Sequence, residues 1–267
     1  MPTKSIKIQC PAKINLSLKV LNKREDGFHN IESVMQTIDL YDYLDIKLGQ
    51  SSKSEIVLDG NSQDIPYDEK NLVYKAAKLY FEQNNISDYR LNVYIDKSIP
   101  VSAGLAGGST DAVGVLYGLN KLYNSLLNES ELNNLCAKLG SDLNFCLKGG
   151  CMLATGRGEI LQPEEYKNSC VNLIKPKNLG ISAKEAYTKF SQKLSMGLDG
   201  RNLYKNDLEW AVIDDYPMLQ YIKKKYPTSM MTGSGSTYFS LAEAFECEDD
   251  YWVKNGCQTI DFGVREI

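Results

Sequence analysis

The stretch Pro100 to Val113, PVSAGLAGGSTDAV, has the residue types that can hold a phosphate. Ala103, Gly104, Ala106, Gly107 and Gly108 let backbone amides come close to a bulky anion. Glycine also permits the positive φ angles that aim successive N–H groups at one point. Ser109, Thr110 and Asp111 supply N-cap and first-turn chemistry for a helix through Val115, Leu116, Leu119 and Leu122. The positive end of such a helix favours phosphate. The expected cradle is therefore Pro100, Val101, Ser102, Ala103, Gly104, Leu105, Ala106, Gly107, Gly108, Ser109 and Thr110. Within it, a β-branched residue at Gly107 is expected to take the room of a phosphate oxygen. No Gly-Lys-Ser/Thr ends the loop and no GxGxxG is present, so it is neither a P-loop nor a dinucleotide fingerprint. A glycine-rich loop can also be a mere tight connection; the attached helix start favours phosphate.

Four other places have two readings each. Asp142 follows Gly140-Ser141, where an aspartate can cap a short helix or act as a base. Lys13 and Asn15 alternate with Ile14 and Leu16, which puts them on a cleft face or in solvent. His29, the single histidine of the chain, is structural or functional. Gly233-Ser-Gly-Ser is a tight turn or a second loop closing on a site.

The elements that must position these residues can be read from periodicity. Ile14, Leu16, Leu18 and Val20 alternate as a strand, and Val34–Ile38 and Leu44–Leu48 suggest two more, with Asp26-Gly27 as a turn. A helix fits Asn71 to Phe81, and a strand-like run Leu91 to Ile95 precedes the glycine loop. A further helix fits Glu129 to Leu139, with Gly140 as its C′ residue and Ser141-Asp142 opening another. Turn-like residues 155–167 suggest two lobes, 1–158 and 159–267. The second has strands near Val171–Ile174, Thr237–Leu241 and Thr259–Val264, and helices near Ser182–Phe190 and Asp214–Lys224. Strands grouped before helices indicate an α+β fold.

Composition excludes several classes of function. The 267 residues, 43% hydrophobic and 24% charged, suit a globular protein, and a net charge of −4 without a basic cluster argues against nucleic-acid binding. No apolar run approaches the roughly 20 residues that cross a bilayer, and Lys4, Lys7, Lys13 and Lys19 argue against a signal peptide. Seven scattered cysteines without a Cys-x-x-Cys pair point to free thiols in a reducing cytoplasm.

The runs PAKINL (11–16), DGFH (26–29), NLVYKAA (71–77), AGLAGGSTDA (103–112), LGSD (139–142) with Phe145, and GRGE (156–159) occur in an order that resembles the GHMP kinase superfamily. That family includes galactokinase, homoserine kinase, mevalonate kinase and phosphomevalonate kinase. The resemblance covers most of the first 160 residues and extends more weakly to the Ser182–Tyr187 helix and MTGSGST (231–237). It implies a two-lobed fold, with a β-rich nucleotide-binding lobe and a C-terminal α/β-sandwich lobe of ferredoxin-like type. It implies Mg²⁺-dependent transfer of the γ-phosphoryl group of ATP to an alcohol. Within the family, the closest branch acts on the 2-hydroxyl of a cytidine diphosphate-linked methylerythritol, a small molecule of the non-mevalonate isoprenoid route.

The resemblance implies a role for each residue. Asp142 is the base, and Lys13 the cation beside it. Ser109 touches the β/γ-phosphates or Mg²⁺. Asn71 and Leu72 lie on the adenine or ribose side, with Lys97 preceding the loop at a similar place. Asn71 could equally be only a helix cap. Asn15, Phe28, His29, Tyr187, Gly233 and Gly235 face the alcohol substrate, His29 at the cytosine edge and Tyr187 stacking on the ring. Phe28 stands where tyrosine is common, Ser141 where alanine is common, and Asn144 where proline is usual. A mevalonate- or homoserine-type kinase is an alternative that DGFH and Tyr187 oppose, since those substrates have no base to stack. A non-catalytic nucleotide-binding regulator is opposed by the retention of both Lys13 and Asp142.

Overall fold

The computed structural model describes residues 3–267. The chain opens with three strands, β1 (Lys4–Asn15), β2 (Lys19–Lys23) and β3 (His29–Gln50), then β4 (Glu55–Gly60), helix α1 (Leu72–Gln83) and β5 (Tyr89–Asp96). Three helices follow, α2 (Gly107–Leu122), α3 (Glu129–Leu139) and α4 (Leu143–Lys148), and then a hairpin, β6 (Cys151–Thr155) and β7 (Ile160–Pro163). The remainder is β8 (Cys170–Pro176), α5 (Ala183–Ser195), α6 (Asp207–Val212), α7 (Pro217–Lys225), β9 (Met230–Met231), β10 (Tyr238–Ser240), β11 (Tyr251–Gln258) and β12 (Arg265–Glu266).

β3 organises the first lobe. Two strands were expected between residues 34 and 48; the chain forms one strand of 22 residues instead. Asp39 and Leu40 have no partners opposite them, because pairing jumps from Ala12↔Ile38 to Pro11↔Tyr41. That irregularity bends the strand without breaking it, as extra residues in a ladder do. Ile8 and Cys10 of β1 then enter the core beneath α2, whereas Ala12 and Ile14, of the same parity, enter a second core between the lobes. One bent strand pair thus serves both cores.

The second lobe is a four-stranded antiparallel sheet in the order β11-β8-β10-β9. Alternation divides its side chains. Ile174 and Tyr238 pack with α5, α6 and α7, while Val171, Leu173 and Phe239 pack against Ala12, Ile38 and Leu105 of the first lobe. The hairpin β6–β7 pairs with β3, so residue 158 lies in a turn of the first sheet, and β12 returns to pair with β1. The strand expected at Thr259–Val264 forms earlier, as β11, and α6 was not foreseen. Its six residues are all buried, which leaves no polar face to reveal a helical period.

Helix α2 lies very close to the sheet. A Cβ on Gly114 would stand 2.5 Å from Cys10 Sγ and 2.8 Å from Leu44 Cδ1. Gly118 faces Ile46 and Ile8 in the same way. Gly114→Ala should therefore destabilise the protein by about 1–2 kcal/mol, because overpacking outweighs the roughly 1 kcal/mol gain in helix propensity. The midpoint of urea unfolding measures this; an unchanged or higher midpoint would refute such close packing.

Candidate active site

A cleft of about 1210 Å³ runs between the lobes. One wall is the loop from β5 to α2. Its left-handed residues alternate, Ser102 (φ 51°), Gly104 (φ 74°) and Ala106 (φ 59°), and two of the three are not glycine. Helix α2 begins at Gly107 behind Ala106, two residues before the expected cap, and no side chain caps it. Its first-turn amides stay available to a ligand for that reason. Ser109 is half-exposed, and its hydroxyl has no partner among the described residues.

The two glycines of the helix start differ. A Cβ on Gly107 would meet Ile99 and Lys97 Nζ, each at 3.0 Å, inside the protein, whereas a Cβ on Gly108 meets nothing within 4 Å. Gly107 lines the cleft too, but a side chain there would first press on Ile99 and Lys97, whereas one at Gly108 would enter open space. Pro100, Val101, Ser102, Ala103, Gly104 and Ala106 line the cleft. Leu105 lies in the core between the lobes and Thr110 is fully buried, so their side chains stand behind the wall.

Lys97 lines the cleft, but its ammonium ion-pairs with Asp42 and with Asp111 at 2.9 Å. Burial opposes the charge of Lys97, and the two carboxylates hold its pKa above the ordinary lysine range. Asp42 also accepts the N–H groups of Ser98 (2.6 Å) and Ile99 (2.8 Å), so it fixes the start of the loop. Asn71 caps α1 through Val73 N–H at 2.9 Å and, with Leu72, also lines the cleft.

Lys13 is 3% exposed, which removes the solvent reading. Its Nζ donates to Asn15 Oδ1 (2.6 Å) and to the carbonyl of Gly104 (3.0 Å), and lies 3.8 Å from Asp142 Oδ2. Asp142 occupies the N-cap position of α4 without a capping hydrogen bond from its side chain. The carboxylate is thus directed at Lys13 rather than at its own helix. Asn15 is buried, and its Nδ2 donates to Ser33 Oγ at 2.8 Å. Asn144, where proline is usual, donates to Asn133 of α3 at 3.1 Å and ties α4 down by other means.

The late loop meets the central one. Gly233 (φ 55°) lies so close that a Cβ would stand 2.9 Å from the Gly104 carbonyl and 3.1 Å from Lys13 Nζ. Gly235 (φ 88°) sits behind it and does not line the cleft. Thr232 Oγ1 accepts the N–H of Asn15 at 2.9 Å.

His29 and Tyr187, from different lobes, are brought face to face with centroids 5.2 Å apart and planes 15° apart. Burial, with Lys23 nearby, lowers the pKa of His29, so the ring is neutral at pH 7. Burial, then the charge of Asp142, raises that of the Tyr187 phenol. His29 Nε2 lies 3.2 Å from Ser191 Oγ. Half-exposed Phe28 is covered by the Arg157 guanidinium at 5.0 Å, and Arg157 also lines the cleft. Arg157, Asp42, Ser191 and Thr232 were not foreseen as site residues. Arg157 and Thr232 had signals, their places in GRGE and MTGSGST.

Comparison with known proteins agrees with this geometry. The family described as GHMP kinases N terminal domain matches residues 71–152. The 4-diphosphocytidyl-2-C-methyl-D-erythritol kinase of Clostridium beijerinckii is 40% identical, covering 88% of this chain and 90% of its own. That of Alkaliphilus oremlandii is 39% identical over 91% and 90%. A crystal structure of 4-(cytidine 5'-diphospho)-2C-methyl-D-erythritol kinase superposes with a TM-score of 0.71 at 27% identity, covering 95% of this chain and 99% of that one. With such identity across nearly the whole chain, and the same two-lobed fold around the cleft, the protein belongs to the 4-diphosphocytidyl-2-C-methyl-D-erythritol kinase family of GHMP kinases.

Proposed function

We propose that this protein transfers the γ-phosphoryl group of ATP to the 2-hydroxyl of 4-diphosphocytidyl-2-C-methyl-D-erythritol. The observation that carries this reading is the Lys13–Asp142 pair, which shares one cleft with an open helix N-terminus and a His29–Tyr187 stack. The wall at Gly108 and Ser109 fits a polyphosphate, because it offers amides, a free hydroxyl and no side chain in the way. Among the described residues no cluster of three or more His, Cys, Asp or Glu side chains stands ready to hold a metal. A magnesium ion would therefore rest mainly on phosphate oxygens and water, with Ser109 as the protein's ligand. Bound there, Mg–ATP supplies the phosphoryl group and offsets charge on its oxygens.

The chain's own residues do the rest. Two of the three Lys13 donors are taken by Asn15 and Gly104. The third side faces Asp142 at 3.8 Å, longer than a hydrogen bond, and a substrate hydroxyl beside the pair can reach both groups. Asp142 takes the hydroxyl proton and Lys13 stabilises the negative charge that develops on that oxygen. The His29–Tyr187 gap is too narrow to admit a third ring, which needs about 7 Å between faces, twice the usual contact distance. A cytosine that stacks on Tyr187 and is read by the edge of His29 therefore requires these two rings to part. Five buried thiols suit a reducing cytoplasm, and no described helix is long and apolar enough to cross a membrane.

ADP release upon adding this substrate, and none with mevalonate or homoserine, is the expected result; the reverse pattern would overturn the reading. Asp142→Asn should lower turnover by on the order of 10²–10⁴-fold with ATP affinity unchanged. Near-normal turnover would remove Asp142 as base. Gly108→Val should weaken ATP binding about 10-fold or more, whereas Gly107→Val should act first on stability. Calorimetric titration of folded protein distinguishes them. Tyr187→Ala should weaken cytidine and uridine substrates alike, by about 1–3 kcal/mol. His29→Ala should narrow the gap between them, by about 1–3 kcal/mol for each polar group no longer mismatched. The kcat/KM values for both nucleosides decide, and an intact cytidine preference in His29→Ala would make this histidine structural.

A further inference from the structure

Helix α6 has six residues, yet three of its first four positions, counting the cap, are buried polar side chains: Asn206, Asp207 and Glu209. Buried polar groups persist where they are paired, so their partners show what the helix holds. Asn206 Oδ1 accepts the Leu208 N–H at 2.9 Å, which is an ordinary cap. Its Nδ2 does more, donating to the carbonyls of Met231 (2.7 Å) and Gly233 (2.9 Å). Glu209 accepts the Met231 N–H at 3.0 Å. Asp207 turns the other way, accepting the Val20 N–H at 2.8 Å and pairing with Lys19 at 3.2 Å. The backbone adds Asp207 N–H to Leu18 O (2.8 Å) and Leu18 N–H to Lys205 O (2.9 Å).

One short helix therefore grips two active-site segments from its N-terminal end. On one side is β2, which opens the hairpin that carries Phe28 and His29. On the other is the segment ending at Gly233, whose backbone abuts Lys13 Nζ and the Gly104 carbonyl. A serine or aspartate would cap the helix as well as asparagine does; only a carboxamide also supplies two donors to the late loop.

We propose that Asn206 is a positioning residue for phosphoryl transfer, holding the Met231–Gly233 carbonyls so that Gly233 fixes the place of the Lys13 ammonium, while Asp207 positions the hairpin that meets the nucleobase. The two side chains act on opposite ends of the substrate and have different kinetic signatures. Misplacing Lys13 affects the chemical step, whereas misplacing the hairpin affects binding.

The inference rests on the alcohol-kinase reading, whose failure shows as an inactive wild-type protein; its own failure shows as variants that keep wild-type kinetics. Asn206→Asp keeps the size and the cap and removes both donors. Asn206→Ser keeps the cap without adding charge and decides the matter if the aspartate variant does not fold. Both should lower kcat on the order of 10- to 100-fold, with KM for ATP and for the cytidine substrate within about threefold. Asp207→Ala should raise KM for the cytidine substrate about 10-fold, with kcat within about threefold. A merely structural brace would move kcat and KM together at both positions, in step with Tm. That result, or wild-type kcat in folded Asn206→Ser, overturns the proposal.

Discussion

The site depends on an ammonium group held almost wholly out of water. Burying a lysine is unfavourable unless its donors are matched. Lys13 meets that requirement with a side-chain amide on its own strand and a carbonyl of the glycine loop. Each partner is fixed in turn, Asn15 by Ser33 and Thr232, and Gly104 by its close approach to Thr232 and Gly235. Segments far apart in sequence are tied to one charge, and the charge has one side left for chemistry.

Small residues make that convergence possible. Gly104 and Gly233 face each other across the meeting point of the loops, both at positive φ, where a side chain would be strained and would also run into backbone. Neither glycine touches phosphate through a side chain of its own. Their part is to let two backbones approach until a carbonyl reaches the lysine. The open position, Gly108, is glycine for a different reason: it leaves room for something that is not protein.

Local signals in the sequence carried most of the secondary structure. Asn71, Asn128 and Ser182 each cap the helix expected after them, and α3 has the expected bounds. Lys13, Asp142, His29 and Tyr187 were legible through a resemblance; periodicity alone left Lys13 between cleft and solvent. The misses have physical causes. β3 runs through a two-residue irregularity that looks like a strand boundary, and α6 is buried on every side. Asp42 sits mid-strand and acts through Lys97, 55 residues away, a pairing that no local window contains.

The chain passes between the lobes twice, at residues 164–169 and again at 259–263, and the two passages are laced together. Thr259 donates its N–H to the Ser169 carbonyl (3.0 Å), accepts the Ser169 N–H on Oγ1 (2.9 Å) and donates that hydroxyl to Lys167 O (2.8 Å). Tyr166 closes the strap on the Thr259 carbonyl at 2.8 Å. A single tether would leave one lobe free to swivel on the other, whereas two laced passages oppose that rotation. With the shared core of Ala12, Ile38, Leu105, Val171, Leu173 and Phe239, the strap makes the register of the two glycine loops a property of the lobe junction as well as of the loops themselves.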